Sequence, residues 1–256
     1  MKKLLFISIA TIGLFASCQK VIDVDLNSKD PQLVIEGNVT DQPGPYTVQL
    51  TKTVNFSESN TFPGVSGATV TIADNVGNTE TLNETSPGIY QTSTLQGTPG
   101  RTYTLTVVAE GKTYTASSTM PNNVPLDSVW VVDDPAFGKY LIPVYNDPAG
   151  KGNYYRVVEY VNHERNNGIF IYDDAFNDGL MNGQPLFDFE TEYATGDTID
   201  LALYCIDKPV YQYYFSLEQT VSGQTGAPAN PVSNISNKAL GYFSAHTVST
   251  KRAVIQ

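Results

Sequence analysis

Acidic and amide side chains crowd the segment YDDAFNDG, and their oxygen atoms are the ligands that calcium prefers. Asp173, Asp174, Asn177 and Asp178 lie close together in it, and a glycine follows them. An EF-hand loop places oxygen ligands at alternate positions before its glycine and closes with a glutamate. Here Phe176 occupies one ligand position and no glutamate closes the loop. The segment therefore predicts either a weak calcium loop or an acidic loop exposed to solvent.

Tyrosine is the most frequent aromatic residue, with 16 tyrosines in 256 residues. Aromatic side chains stack on sugars and anchor protein interfaces, but they also fill β-rich cores with their hydroxyl groups at the rim. Both interpretations stay open for the tyrosines of the second half of the chain. The candidate binding residues are Tyr172, Tyr193 and Tyr211.

Residues suited to metal binding or nucleophilic catalysis are sparse. The only histidines, His163 and His246, lie 83 positions apart and outside any HExxH frame. Cys205 lies in an apolar run and is interpreted as a small buried side chain. The sequence has no GxSxG nucleophile elbow and no phosphate-binding glycine loop. We therefore expect no resident metal, no cofactor and no enzymatic activity.

The second cysteine, Cys18, predicts covalent lipid attachment. It follows two lysines, the apolar run Leu4–Phe15 and two small residues. The run is shorter than the roughly 20 residues that span a bilayer, so it is typical of a signal peptide. A signal that ends at a cysteine resembles the bacterial lipobox, although Phe15 stands where leucine is usual. We expect a lipoprotein signal peptide over 1–17, lipidation at Cys18 and a lipid-anchored linker over 18–30. An ordinary signal with a coincidental cysteine is the alternative.

The net charge of the chain argues against nucleic acid as a partner. Removal of residues 1–17 takes away two of the 15 basic residues and none of the 26 acidic ones, so the net charge changes from −11 to −13. Nucleic-acid binding depends on neutralising phosphates, so such a chain is not expected to bind nucleic acid. Gln19, rather than an aspartate, follows Cys18. That residue favours the outer membrane as the location, and leaves its periplasmic and surface faces both open.

Alternation of apolar and threonine residues dominates the first half of the chain. Between Gln32 and Thr119 this pattern and its turn residues predict about seven short strands, each with one buried face. Their number and spacing are typical of an immunoglobulin-like sandwich, without the disulfide and tryptophan of antibody domains. We therefore predict a first domain over residues 31–120.

The second half differs in pattern. A proline-containing segment without periodicity, 119–130, marks the boundary to a second β-rich domain over 121–256. One helix is predicted near 209–221, because apolar residues recur there at helical spacing, with Asp207 as its cap and Pro209 in its first turn. The expected fold is mainly β, with two β-sandwich-like domains, the second carrying a short α-helix.

Two tripeptides resemble a bacterial glycosylation signal. DSV and DTI fit the Asp-Ser/Thr-apolar pattern of O-glycosylation in Bacteroidetes. The candidate acceptors are Ser128 and Thr198.

Several segments between Cys18 and the C terminus match one family in order. They include LVIEGNVTD, PYTVQLTKTVNF, VSGATVTIAD, PGRTYTLTVVAEGKTYTASSTMP and NISNKALGYFSAHTVST. On these segments the chain resembles DUF4249, a family of Bacteroidetes outer-membrane lipoproteins of unknown function. The resemblance implies no catalytic residues. Because members of the family often accompany TonB-dependent transporters, it implies such a transporter as a partner.

Three functional hypotheses remain. The first is a lipid-anchored binding or accessory module of the outer membrane, with a TonB-dependent transporter or a surface glycan as partner. The alternative is a structural or adhesive envelope protein without a small-molecule ligand. A secreted glycan hydrolase is disfavoured, because no nucleophile–base pair is visible. We predict the binding face where the 173–197 loop meets the helix, since long irregular loops in compact domains are usually functional or disordered.

Overall fold

Strands make up most of the regular structure in the computed structural model, which describes residues 30–55, 58–188, 191–223 and 229–256. The predicted signal peptide and Cys18 lie outside the described residues. In the described part of the chain, no helix combines the length and apolar character needed to cross a membrane.

Sixteen strands and one helix follow one another along the described residues. The first half holds β1 (Leu33–Thr40), β2 (Thr47–Lys52), β3 (Thr69–Asp74), β4 (Thr79–Thr81), β5 (Asn83–Ser86), β6 (Ile89–Gln91), β7 (Thr102–Ala109) and β8 (Lys112–Thr119). The second half holds β9 (Leu126–Asp134), β10 (Gly138–Asn146), β11 (Tyr154–Val161), β12 (Glu164–Arg165), β13 (Phe170–Asp173), β14 (Met181–Asn182), β15 (Thr198–Ile206), α1 (Lys208–Val221) and β16 (Leu240–Val254).

These strands form three sheets. The largest has nine strands, in the order β12-β11-β15-β16-β1-β2-β6-β5, with β13 also paired to β11. The second sheet has the order β14-β10-β9, and the third has the order β4-β3-β7-β8. The predicted mainly β fold with a sandwich-like arrangement and a single helix is confirmed for the described residues.

The first hydrophobic core shows why the threonine-rich pattern forms strands. In β7, Tyr103, Leu105 and Val107 are buried, while the threonines between them are partly exposed. They share one core with residues of the large sheet such as Ile35 and Leu50. Successive strand side chains point to opposite faces, so this alternation buries one face of each sheet and leaves threonine on the other.

A second core lies in the later half of the chain. It joins β9 and β10 to the far part of the large sheet, through residues such as Leu141, Tyr145, Val157 and Leu203. Cys205 belongs to this core and is buried, as predicted.

Strand β16 connects the two cores. Its residues from Leu240 to His246 pair in parallel with β1, and those from Thr247 to Val254 pair antiparallel with β15. Phe243 and Ala245 are fully buried in the first core. The predicted division at residues 120 and 121 therefore separates the cores only in part, because a late segment of the chain completes the first one.

A glycine permits the close approach of β16 to β1. Gly241 has a φ of +89°, and a Cβ atom there would clash with the carbonyl group of Ile35. Any other residue would be strained in this backbone conformation and would push the two strands apart.

Candidate functional site

Helix α1 forms where the sequence predicted it. The Asp207 side chain accepts a hydrogen bond of 3.2 Å from the backbone N–H of Val210, and proline occupies the first turn. Val210, Tyr213 and Tyr214 are buried, and they pack with residues such as Ile206 beneath the helix. An N-cap carboxylate stabilises the free N–H groups of a helix start, so local signals and one apolar stripe account for α1.

Beside α1 lies a concave groove of about 300 Å³, hereafter the aromatic groove. Strand β13, helix α1 and the segment around residue 186 each contribute side chains to it. Helix α1 and the segment around residue 186, which lies in the 173–197 loop, belong to the face predicted from the sequence, whereas residues 169–172 do not. The lining residues are Ile169, Phe170, Ile171, Tyr172, Pro185, Phe187, Tyr211, Phe215 and Glu218.

The helix presents one row of residues to the aromatic groove. Tyr211, Phe215 and Glu218 follow one another at spacings of four and three residues, which place side chains on one face of a helix. The rings of Tyr211 and Phe215 stack with their centroids 5.9 Å apart. The row therefore offers a continuous aromatic surface that ends in a carboxylate.

Two phenylalanines of the aromatic groove are unusually exposed. Phe187 is 48% exposed and Phe215 is 43% exposed. Single exposed apolar residues are common, but contiguous apolar patches are rare on monomeric proteins and mark interaction sites. The presence of two such rings in one concavity indicates a binding surface rather than two unrelated exposed side chains.

The apolar surface continues beyond the groove onto β9 and β10. Phe187 lies 5.1 Å from Tyr140 and 5.9 Å from Phe137, measured between ring centroids. Trp130, opposite Ile142 in the ladder, is 51% exposed. The apolar surface that a partner would meet is therefore larger than the groove itself.

A hydrogen bond fixes the rim of the aromatic groove. The Tyr211 hydroxyl donates to Asp173 at 3.0 Å. Burial, together with this carboxylate, raises the pKa of Tyr211 to about 12, so the phenol stays protonated and keeps donating. Asp173, predicted as a calcium ligand, is thus a partner of the helix.

The other two candidate tyrosines have different surroundings. Tyr172 lines the groove, but it also packs against the second core, and burial raises its pKa. Tyr193 lies outside the groove lining and donates to Glu159 at 2.7 Å. Burial raises the pKa of Tyr193, and the carboxylate adds to the effect. The structure therefore brings Tyr172 and Tyr211 together and places Tyr193 elsewhere.

Sequence reasoning missed Phe187 and Phe215. For Phe215 a signal exists, because it falls four residues after Tyr211 and off the apolar stripe of α1. An aromatic residue on the polar side of an amphipathic helix is a candidate for recognition. Phe187 lies in a segment without periodicity, and its exposure depends on how the chain folds around β10.

The acidic loop gathers carboxylates, but with a different membership from the predicted one. Asp174 and Asp178 meet Asp147, and their oxygen atoms lie within 4.8 Å of one another. Asp173 is turned to Tyr211, and Asn177 contributes backbone hydrogen bonds to the turn. Oxygen ligands of this kind suit calcium, so these three aspartates are the described residues that could hold a cation.

Backbone groups already occupy these carboxylates. Asp174 accepts hydrogen bonds from the N–H groups of Gly152 and Asn153 at 2.7 and 3.0 Å. Asp178 accepts one from Gly150, and Asp147 accepts from Gly179 and from the Tyr155 hydroxyl. The cluster thus joins two loops of the second half through hydrogen bonds between its carboxylates and other protein groups.

One serine–histidine contact is present. Ser244 Oγ and His246 Nδ1 are 2.9 Å apart, and both side chains are buried. Burial, with the nearby charge of Arg156, lowers the pKa of His246 to about 3. The ring also stacks on Tyr204. A histidine that weakly basic and that enclosed is a poor general base, because catalysis needs a pKa near the working pH and contact with substrate.

A second cavity, of about 320 Å³, lies where the two halves of the chain meet. Its lining includes Thr119, Cys205 and Asp207. Asp207 accepts a hydrogen bond of 2.9 Å from the Thr119 N–H, so the helix cap also holds the end of β8. Burial raises the pKa of the Cys205 thiol, which keeps it protonated and unreactive.

The predicted glycosylation acceptors lie in strands. Ser128 is in β9 opposite Val144, and Thr198 begins β15. Both are partly exposed.

The fold and the groove together define a β-rich, sandwich-like protein with a solvent-exposed aromatic concavity on its later half. By sequence, the chain belongs to the family described as "Domain of unknown function (DUF4249)", which it matches over residues 19–252. The resemblance inferred from the sequence is thereby confirmed. The comparison with curated proteins gives no match.

Proposed function

We propose that this chain is a non-catalytic, lipid-anchored binding or accessory module of the outer membrane, and that the aromatic groove is its recognition surface. A TonB-dependent transporter or a surface glycan is the proposed partner. The observation that supports this proposal is the exposure of Phe187 and Phe215, which come from different elements and line the same groove. Aromatic residues, phenylalanine among them, are enriched in protein interfaces relative to the rest of the surface.

The shape of the second half favours binding over a purely structural or adhesive role. A protein with only flat, packed faces would suit the adhesive hypothesis, whereas ligand sites are concave and rimmed by aromatic residues. The groove has that form. A hydrolytic role has less support, because the serine–histidine contact of the described residues is buried.

Capture of a partner from membranes tests the proposal. The lipidated protein would be purified from solubilised membranes, and co-eluting proteins and glycans would be identified and quantified. We expect Phe187→Ala and Phe215→Ala to lower capture while changing the free energy of unfolding by no more than about 1.5 kcal/mol, because each ring is roughly half exposed and packs on neighbouring rings. Phe176→Ala is the matched control, because Phe176 is fully exposed and lies outside the groove lining.

Tyr172 and Tyr193 provide the contrast. Both pack against the second core, so their replacement by alanine should destabilise the protein by roughly 2–4 kcal/mol. If both phenylalanine variants capture the partner as fully as the wild type does, the recognition surface lies outside the aromatic groove. Equal loss in the Phe176→Ala control would show that the effect is not specific to the groove.

A further inference from the structure

The aromatic groove has an uneven charge. Among the described residues, Glu218 is the only charged one in its lining. Its carboxylate has no ion-pair partner within the described ranges. Lys208, the only basic residue of α1, lines the other cavity. The described lining of the groove therefore offers a ligand one negative charge and no positive one.

The rest of the lining suits a cation as well. Phe170, Tyr172, Phe187, Tyr211 and Phe215 bring five aromatic rings to one concavity. The face of an aromatic ring carries partial negative charge and attracts ammonium and guanidinium groups, and several rings around one pocket are a recurrent means of binding organic cations. At the rim, Asp173 adds a second carboxylate through its bond to Tyr211.

We propose that the aromatic groove binds the cationic side chain of a partner protein, a lysine or arginine whose apolar stem lies on the rings and whose charge faces Glu218. This inference rests on the proposed function, because it names the chemistry that the same groove recognises. Long basic side chains combine an apolar stem with a charged end, and the lining offers both matching surfaces along the row from Tyr211 to Glu218.

The test compares two probes that differ only in charge. Nα-acetyl-lysine amide and Nα-acetyl-norleucine amide would be titrated into the chain from residue 19 onward, which contains every described residue, and groove signals would be followed by NMR. We expect the lysine probe to shift the ring signals of Phe215 and Tyr211 at lower concentration than the norleucine probe. Because isolated charge pairs and cation–π contacts are modest, the expected preference is roughly two- to tenfold.

Variants separate the carboxylate from the rings. Glu218→Gln should lower the preference for lysine to the part that the rings supply and leave norleucine binding unchanged, whereas Phe215→Ala should weaken both. Glu164→Gln is the matched control, because Glu164 is an exposed acid on β12 outside the groove lining.

Three results would overturn the cation proposal: no shift with the lysine probe, equal binding of norleucine, or an unchanged preference in Glu218→Gln. Each leaves the proposed function intact if Phe187→Ala and Phe215→Ala still lose capture of the membrane partner. If those variants retain capture, the proposed function itself fails, whatever the probes show.

Discussion

The Tyr211 hydroxyl and the Asp173 carboxylate, 3.0 Å apart, tie helix α1 to the end of β13 and so fix two sides of the aromatic groove. Replacing Tyr211 by phenylalanine keeps the ring and removes this bond. We expect Tyr211→Phe to lower the free energy of unfolding by roughly 1 kcal/mol, as for a partly buried bond to a charged group. Urea denaturation measures this. Tyr140→Phe is the control, since the Tyr140 hydroxyl has no hydrogen bond in the described part of the chain, and an equal loss there would contradict the prediction.

Asp174 is predicted to stabilise the fold without a metal. It accepts two backbone N–H bonds while buried, and an asparagine in its place would lose the charge that strengthens them. We expect Asp174→Asn to destabilise the protein by roughly 2 kcal/mol in excess chelator. The exposed Asp133→Asn should have little effect. A loss seen only when calcium is present would mean that the carboxylates act mainly as ligands.

His246 makes stability depend on pH. Its pKa falls from the ordinary 6.5 to about 3 in the folded protein, because of burial and the charge of Arg156. Below pH 6.5 the unfolded chain binds a proton that the folded chain does not. The stabilisation that the fold gains by keeping His246 neutral is therefore complete above pH 6.5 and is lost as the pH falls toward 3.

The comparison that isolates this effect is wild type against His246→Gln. Relative to the variant, wild-type stability should fall by about 1.4 kcal/mol per pH unit within that window. Chemical denaturation at several pH values between 4 and 7 gives the difference. A difference that is constant with pH would show that the pKa of His246 is the same in the folded and unfolded states.

Lipidation is predicted at Cys18, which lies outside the described residues. Two or three acyl chains anchor a protein stably, since each buried CH₂ contributes about 0.8 kcal/mol. Cys18→Ser should therefore move the protein from the membrane fraction to the soluble fraction. Cys205→Ser should leave fractionation unchanged. Sedimentation of the Cys18 variant with membranes would rule out the anchor.

The first half is not expected to fold by itself. A fragment of residues 31–120 lacks Phe243 and Ala245, which are fully buried in its core, and it exposes the β1 edge that pairs with β16. We predict that the fragment shows no cooperative thermal transition by circular dichroism. Adding a peptide of residues 229–256 should restore one, and a cooperative transition of the fragment alone would show that β16 is dispensable.

Local signals explain what the sequence could predict. Asp207, the proline after it and the apolar spacing of α1 lie within one stretch of chain, and each acts through neighbours a few residues away. The alternation in β7 is likewise local, because the side-chain period of a strand is set by its own backbone. These features need no knowledge of the rest of the molecule.

Contacts between segments that lie far apart in the chain explain which features the sequence could not predict. Asp147 joins Asp174 across 27 positions, and nothing near either residue indicates the meeting. The parallel pairing of Val34 with Leu240 spans 206 positions. Phe187 looks like any core phenylalanine in the sequence, and its exposure follows only from the placement of β10. The sequence led to a predicted face because a long loop next to a helix is visible in it, and it named Tyr172 and Tyr211, but it did not lead to Phe187 or Phe215.

The place of β16 also sets the timing of folding. When the chain is synthesised from its N terminus, β1 emerges long before residues 240–246, its parallel neighbour. Until they arrive, the first core lacks a strand and β1 keeps an open edge, which is a template for pairing with other chains. Closing so long a loop is entropically unfavourable and slows folding. Productive folding of the first core must therefore wait until the last strand has been synthesised, so a chaperone that covers the open edge of β1 would serve this protein most before that point.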